Sequence, residues 1–366
     1  MERGLAYLRE AYRDGHISGD GPFTRKCEAV LRQSIGADRV LLTTSCSDAL
    51  EMCALLLDIK PGDEVIVPSF TFVTTAGAFA LYGAKPVFAD IRPDTFNLDE
   101  SLLEGAITGR TRAVAVVHYG GTGCEMDEIL AVAGRHGAAV IEDNAHGLFG
   151  TYRGKPLGSF GQLSTLSFHE TKNLSCGEGG AVVINDPRNS GRAEILREKG
   201  TDRSRFFRGE VDKYTWVDLG SSFLPSDALA ALLWAQIEDR DRIQAVRAGI
   251  HRRYSEGLEA WAREQGVGLP VIPPHCGSSH HLFSLLLPTP GSQAAVIRHL
   301  REAGVHSVFH YQPLHLTPMG RQLGGKPGQC PVSESVAGRI VRLPFYFDLT
   351  GADQDRVIDA VRSFKA

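Results

Sequence analysis

The chain has 366 residues, too many for one ordinary domain and enough for about two. Hydrophobic residues make up 43% and charged residues 22%, so a large core can form and wholesale disorder is excluded. A net charge of -4 lacks the basic footprint of a nucleic-acid binder, and no apolar run approaches the roughly 20 residues of a bilayer span.

In chain order, the opening MERGLAYLREAYRDG is charged and helical in pattern, without an apolar signal core. Seven cysteines, an odd number with no CxxC pair, suit free thiols in a reducing cytosol, so a cytoplasmic location is expected. Short apolar runs then recur: VLL at 40–42, EVIVP at 64–68, PVFAD at 86–90, AVAVVH at 113–118 and AAVIED at 138–143. Helical patterns separate them, such as Ser47 to Leu57, where Leu50, Cys53, Ala54 and Leu57 share one face. Near-continuous Val, Ile and Ala strands alternating with helices predict an α/β fold, a mostly parallel sheet covered on both faces. Two more strand-like runs follow, LSTLSF at 163–168 and GAVVIN at 180–185.

From Ser226 the sequence SDALAALLWAQIEDRDRIQAVRAGIHRRYSEGLEAW reads as one long helix behind a Ser-Asp cap. Strand HLFSLLLP, helix SQAAVIRHLREAG, strand VHSVFH and helix ADQDRVIDAVRSF complete a smaller α+β unit. The boundary is placed inside the long helix, giving a large domain at 1–240 and a small C-terminal domain at 241–366.

Four features carry chemistry. Lys172, in SFHETKNLSCGEGGA, directly follows a strand and precedes a Gly-rich turn. It is either a surface lysine or a Schiff-base lysine, whose amine burial would turn into a nucleophile. Asp143, in AVIEDNAH, sits at the carboxyl end of a buried strand, where open α/β sheets bind ligands. It either caps the next segment or pairs with a pyridinium N–H; His146 is its polar neighbour or touches the same ligand. TTSCSDALEM, residues 43–52, opens a helix, so Ser45 or Ser47 is a plain N-cap or part of an anion cradle. Ser167, at the end of the strand before Lys172, could add a hydroxyl to the same anion. Phe72 either packs in the core or stacks on a flat ring. An amine, a carboxylate, an anion cradle and an aromatic face together suit pyridoxal 5'-phosphate (PLP).

GDEVIVPSFTFVTT, GAKPVFADI, VVHYGGTGCEMD, VIEDNAHG and SFHETKNLSCGEGGA resemble the DegT family of PLP-dependent nucleotide-sugar aminotransferases. The resemblance runs from SGDGPFTRKCE to VRLPFYFDLT. It implies fold type I, the aspartate aminotransferase-like α/β fold. REKGTDRSRFFRGEVDKYTWVDLGSS looks most like the dTDP-4-amino-4,6-dideoxygalactose transaminases, which implies dTDP-4-keto-6-deoxyglucose as substrate and L-glutamate as amino donor. By the same resemblance Lys172 and Asp143 are catalytic. Lys172 forms the Schiff base, Asp143 meets the pyridine nitrogen, His146 lies beside the ring and Phe72 stacks on it. Cys46, Ser47 and Ser167 contact the phosphate. Ser222 stands where many members place an Asn reaching the phosphate from the partner subunit, and Leu224 where Arg is frequent.

A homodimer with interfacial sites is expected, with no metal. A nucleotide sugar's diphosphate needs local positive charge on an acidic chain. The richest candidate is RSRFFRGEVDKYTW, with Arg208, Lys213 and Tyr214 as substrate contacts beside Arg203 and Arg205; the other reading is a solvated loop. His310 and Tyr311 are candidates for the sugar side. Competing readings are amination at C3, a PLP sugar dehydratase, which would carry His in place of Lys172, and a non-catalytic PLP or sugar-nucleotide sensor.

Overall fold

A computed structural model describes residues 2–365. Its central sheet uses strands β1 (Arg39–Thr43), β2 (Glu64–Pro68), β3 (Lys85–Ala89), β4 (Thr111–Val117) and β5 (Ala139–Asp143). Two short strands, β6 (Thr151–Tyr152) and β7 (Lys155–Pro156), form a hairpin beside it, followed by β8 (Leu163–Ser167) and β9 (Gly180–Ile184). The sheet order is β1-β9-β8-β5-β4-β2-β3. From β8 to β3 all pairings are parallel, whereas β9 runs antiparallel to both β1 and β8. The two reversals cancel, so β1 points the same way as β8, and Thr43, Asp143 and Ser167 all end on one edge.

Alternation sorts the strand residues between two helical layers. Leu41, Val65, Val67, Val182 and Ile184 pack with the helices Cys46–Leu56 and Thr74–Ala80. Val40, Leu42, Leu166 and Val183 pack on the other face with Pro22–Ile35 and Asp227–Glu238, and Ile66, Val114 and Val140 with Met126–Arg135. Strands β2 and β9 are buried along their whole length, which is why they read as unbroken apolar runs.

The long helix expected from Ser226 is two helices, Asp227–Glu238 and Arg240–Gln265. Asp239 leaves helical geometry at φ -97, ψ 7 and binds Arg242 through its carboxylate. Beyond it lie β10 (Cys276–Gly277), which extends the small hairpin, and β11 (Ser284–Leu286), β12 (Val308–Phe309) and β13 (Ile340–Arg342). The last three form an antiparallel sheet with β13 in the middle. These strands are much shorter than HLFSLLLP and VHSVFH suggested. Val341 and Leu343 join Phe283, Leu285, Tyr254, Leu258 and Val357 in a separate core. Arg342 therefore belongs to the opposite face, toward the central sheet. No helix among the described residues is long and apolar enough to cross a membrane.

Candidate active site

The carboxyl edge of the central sheet gathers the chemistry. Asp143 ends β5 and is 5% exposed. Its Oδ2 accepts from Thr75 Oγ1 at 2.7 Å and its Oδ1 from the Ala145 N–H at 3.2 Å. Burial raises its pKa, while these two hydrogen bonds and the nearby Lys172 work against the rise. Lys172 lies in the turn after β8, its N–H bonded to the His169 carbonyl at 2.9 Å. It is half-buried rather than on the surface. Burial lowers its pKa, Arg342 lowers it further, and Cys46 and Asp143 oppose. Cys46 is itself pushed up to about 12 by burial and stays a neutral thiol, so the opposing charge is that of Asp143.

Ser45 is the N-cap of the helix Cys46–Leu56, its Oγ accepting from the Asp48 N–H at 3.1 Å. The capping reading holds at Ser45, and it leaves the N–H groups at the helix start, with their positive dipole end, facing the same edge. Cys46 Sγ reaches Thr165 Oγ1 at 3.5 Å, joining that helix to β8. Gly180 faces both Thr43 and Ser167 across the sheet. A Cβ there would overlap the Cys46 nitrogen and the Ser45 carbonyl carbon, so this approach of helix to sheet requires glycine. Ser167 is partly buried beside it.

Phe72 is 56% exposed, which overturns the core-packing reading. It starts the turn whose Thr75 holds Asp143, its carbonyl accepting from the Thr75 N–H at 3.2 Å. His146 is buried, and its Nδ1 receives the Gly120 N–H at 3.4 Å, which places the proton of the neutral ring on Nε2. Its ring stacks on His281 at 4.1 Å and lies parallel to His310 at 6.2 Å. His310 Nδ1 meets the Tyr119 hydroxyl at 2.7 Å and its ring stacks on Tyr311 at 3.7 Å. His310 and Tyr311 follow β12 rather than lie on it, and Tyr311 holds φ +32, a strained value for a bulky side chain. Burial pushes His146, His281 and His310 well below the ordinary histidine range, so all three are neutral at neutral pH.

The substrate segment lies elsewhere in the chain. Arg208 pairs with Glu194 at 2.9 Å and Glu210 at 2.6 Å, Arg205 with Glu210 at 3.2 Å, and Arg203 with Glu198 at 3.7 Å. Tyr214 rests on Phe206 at 5.8 Å, and Lys213 and Ser222 are exposed. Within one chain none of Arg208, Lys213, Tyr214 and Ser222 contacts the Lys172–Asp143 group. Three residues of the constellation have no local signal: Thr75, Tyr119 and His281. A Thr three residues past a suspected stacking Phe, and a His packed beside the Gly-rich turn after β4, are seen as partners only once the sheet edge is assembled.

The arrangement fits PLP. A buried carboxylate oriented by two donors can face the ring nitrogen, an amine of lowered pKa the aldehyde, and a capped helix start the phosphate. A mostly parallel seven-stranded sheet with a small C-terminal sheet and this donor set define a PLP-dependent enzyme of fold type I. The sequence profile of the DegT/DnrJ/EryC1/StrS aminotransferase family matches residues 1–362, and the chain belongs to that family. It is 34% identical to the GDP-perosamine synthase of Caulobacter vibrioides over 97% of this chain and 93% of that protein. A DegT DnrJ EryC1 StrS aminotransferase from Brucella abortus superposes with a TM-score of 0.90 at 32% identity, covering 100% of this chain and 96% of that one. The PLP-form of the putative sugar aminotransferase Spr1654 from Streptococcus pneumoniae gives 0.92 at 26% identity, covering 99% and 96%. The chain is a PLP-dependent sugar aminotransferase.

Proposed function

We propose that this enzyme aminates a nucleotide-linked 4-keto-6-deoxyhexose, dTDP-4-keto-6-deoxyglucose, to the 4-amino-4,6-dideoxyhexose, with L-glutamate as donor. The observation that supports the reading is that Lys172 and Asp143 lie within electrostatic reach of each other at one sheet edge, near the start of the helix Cys46–Leu56 and the His146–His281–His310 wall. When bound, PLP supplies the electron sink that makes the proton on the donor α-carbon acidic.

The chain's own residues do the rest. Burial favours the neutral form of Lys172 Nζ, which suits it to accept the donor's α-proton and later to return a proton to the sugar C4. The face it works from sets the configuration at C4. Asp143, held by Thr75 and the Ala145 N–H, keeps a proton on the ring-nitrogen side. The N–H groups around Cys46 and Ser47, with Ser167, hold the phosphate, and Phe72 and His146 bracket the ring. His310 and Tyr311 face the sugar. Lys172 also counts against the dehydratase reading.

We further propose a large domain at 1–240, a small one at 241–366 and a cytoplasmic homodimer. Support for the dimer comes from the substrate segment, where Phe207 is 69%, Trp216 73% and Leu219 63% exposed. In a two-fold pair this surface would carry Ser222, Arg208, Lys213 and Tyr214 toward the other subunit's site.

Two experiments test the reading. Incubation with dTDP-4-keto-6-deoxyglucose and glutamate is expected to give a 4-amino sugar by NMR; amination at C3 or no turnover refutes the substrate. Borohydride trapping of the cofactor, followed by peptide mapping, is expected to label Lys172 alone, and Lys172→Ala to abolish turnover.

A further inference from the structure

Two rings of the imidazole wall have tautomers set by their neighbours, and set in opposite senses. His146 Nδ1 receives the Gly120 N–H, so its proton is on Nε2. His281 Nδ1 meets Asn173 Oδ1 at 2.9 Å. The Asn173 amide is oriented by its other end: Nδ2 donates to the Ser279 carbonyl at 2.8 Å and to Gln244 Oε1 at 3.2 Å. A carbonyl can only accept, so Asn173 Oδ1 is the acceptor left for His281, whose proton therefore sits on Nδ1. The Nε2 of His281 is a bare lone pair, and among the described residues it has no hydrogen-bond partner.

The fold holds this nitrogen in place. The His281 N–H donates to the Gly120 carbonyl at 3.2 Å, and the His281 carbonyl accepts from Arg247 at 2.5 Å. Ser279, two residues earlier, donates from its N–H to the Gly121 carbonyl at 3.0 Å and from Oγ to the His146 carbonyl at 2.5 Å. Gly121 has φ +89, and a Cβ there would overlap Ser279 Oγ, so the turn after β4 closes on this segment only with glycine. The ring is 6% exposed and lies within 21° of parallel to His146. Asn173, which sets the tautomer, is the residue after Lys172. Burial pushes His281 well below the ordinary histidine range, and the Lys172 charge acts in the same direction, so the ring stays neutral within reach of that lysine.

A bare imidazole nitrogen selects its ligand by chemistry. Phosphate and carboxylate oxygens are acceptors and gain nothing from a second lone pair, whereas a hydroxyl can donate to it. Left without a donor, a nearly buried acceptor is a free-energy cost that a ligand removes. The carboxylates of an amino donor do not answer that need. The other substrate of a sugar aminotransferase is rich in hydroxyls. Lys172 serves the carbon that is aminated, so the hydroxyl nearest to it is the one on the adjacent carbon.

We propose that His281 Nε2 accepts a hydrogen bond from the sugar hydroxyl next to the reacting carbonyl, which makes His281 a specificity determinant for the acceptor. The proposal rests on the sugar aminotransferase assignment, not on which nucleotide is carried or which carbon is aminated.

The test separates the two nitrogens of the ring. His281→Asn keeps a donor where Nδ1 stood, beside Asn173, and has nothing at the Nε2 position. His281→Gln places an amide oxygen near the Nε2 position and gives up the Asn173 bond. Each half-reaction is followed by stopped-flow absorbance in the holoenzyme, with dTDP-4-keto-6-deoxyglucose and its 3-deoxy analogue. The parent is expected to be slower on the 3-deoxy sugar by roughly 10-fold, the scale of one neutral hydrogen bond. His281→Asn should be slowed by a similar factor on the full sugar, become indifferent to the missing hydroxyl, and change the glutamate step much less. His281→Gln should regain part of the discrimination. The reverse order, with Asn like the parent and Gln impaired, marks His281 as a structural neighbour of Asn173 and overturns the proposal. So does a parent that treats the two sugars alike, a measurement that needs no variant to fold. Turnover of the 3-keto isomer in place of the 4-keto sugar sinks only the substrate reading, and the same comparison then runs with its 4-deoxy analogue.

Discussion

Thr75 and the Ala145 N–H divide the two oxygens of Asp143 between them, so the carboxylate arrives at the site already oriented. Burial alone would favour its protonated form; these donors favour the ionised one. Asp143→Asn keeps the shape and the Thr75 contact but cannot hold a ring-nitrogen proton. Turnover should fall by about 100-fold or more, the scale of a lost proton-transfer partner, while cofactor still binds. Near-parental turnover would return Asp143 to a capping role. Asp143 could be read from the sequence because it ends an apolar strand run and Lys172 because it lies in the turn after one, and strand ends converge in α/β sheets. Thr75, Tyr119 and His281 could not, because their contacts come from elements far apart in the chain that meet only in the fold.

At the scale of elements, the helix Cys46–Leu56 is positioned by contact with β9 as much as by its own cap. Gly180→Ala should push the helix start away, since the added methyl meets backbone rather than a flexible side chain. A cost of about 1–3 kcal/mol is the range for forced overpacking. Fluorimetric PLP titration should show weakened binding, whereas Ser45→Ala, which removes only the cap, should cost about 1 kcal/mol of stability. A Gly180→Ala protein that binds PLP like the parent would show that the cradle does not depend on this contact. Most strand limits were legible to within two residues because buried runs have sharp polar ends. The break at Asp239 was not: the residues IEDRDR carry no Gly or Pro, and the helical pattern continues past it. The small-sheet strands were overextended because apolar residues there continue into loops that pack on the C-terminal core.

At the scale of the whole molecule, the buried imidazoles tie stability to pH. His251 is lowered to about 4 by burial, and His146, His281 and His310 are also lowered. Below the ordinary histidine value of about 6.5 the unfolded chain binds protons that the folded chain refuses. Stability therefore rises with pH across this window and is lost as pH falls from about 6.5 toward 4. His251 alone accounts for about 3 kcal/mol if its whole shift is realised, at about 1.4 kcal/mol per pKa unit. Asp143 and Glu28, whose pKa values are raised, act in the opposite sense at the acid end. Denaturant unfolding at a series of pH values should show the loss, and His251→Gln should flatten it. An unchanged slope in that variant would mean that other groups control acid sensitivity.

The sheet order also has a consequence for synthesis on the ribosome. β1 lies at the sheet margin and pairs only with β9, Arg39 opposite Ile184 and Thr43 opposite Gly180. Its outer side is occupied by charge: the Leu42 N–H donates to Glu28 at 3.0 Å, and Arg197 reaches the Leu42 carbonyl at 3.4 Å. Both Arg197 and β9 are translated long after β1, so the nascent chain holds an apolar strand with two open edges until they emerge. A fragment ending at residue 179 should aggregate and leave the β1 amides unprotected from exchange. One extended past Arg197 should protect them, because the strand then has its neighbour and its charged stopper together.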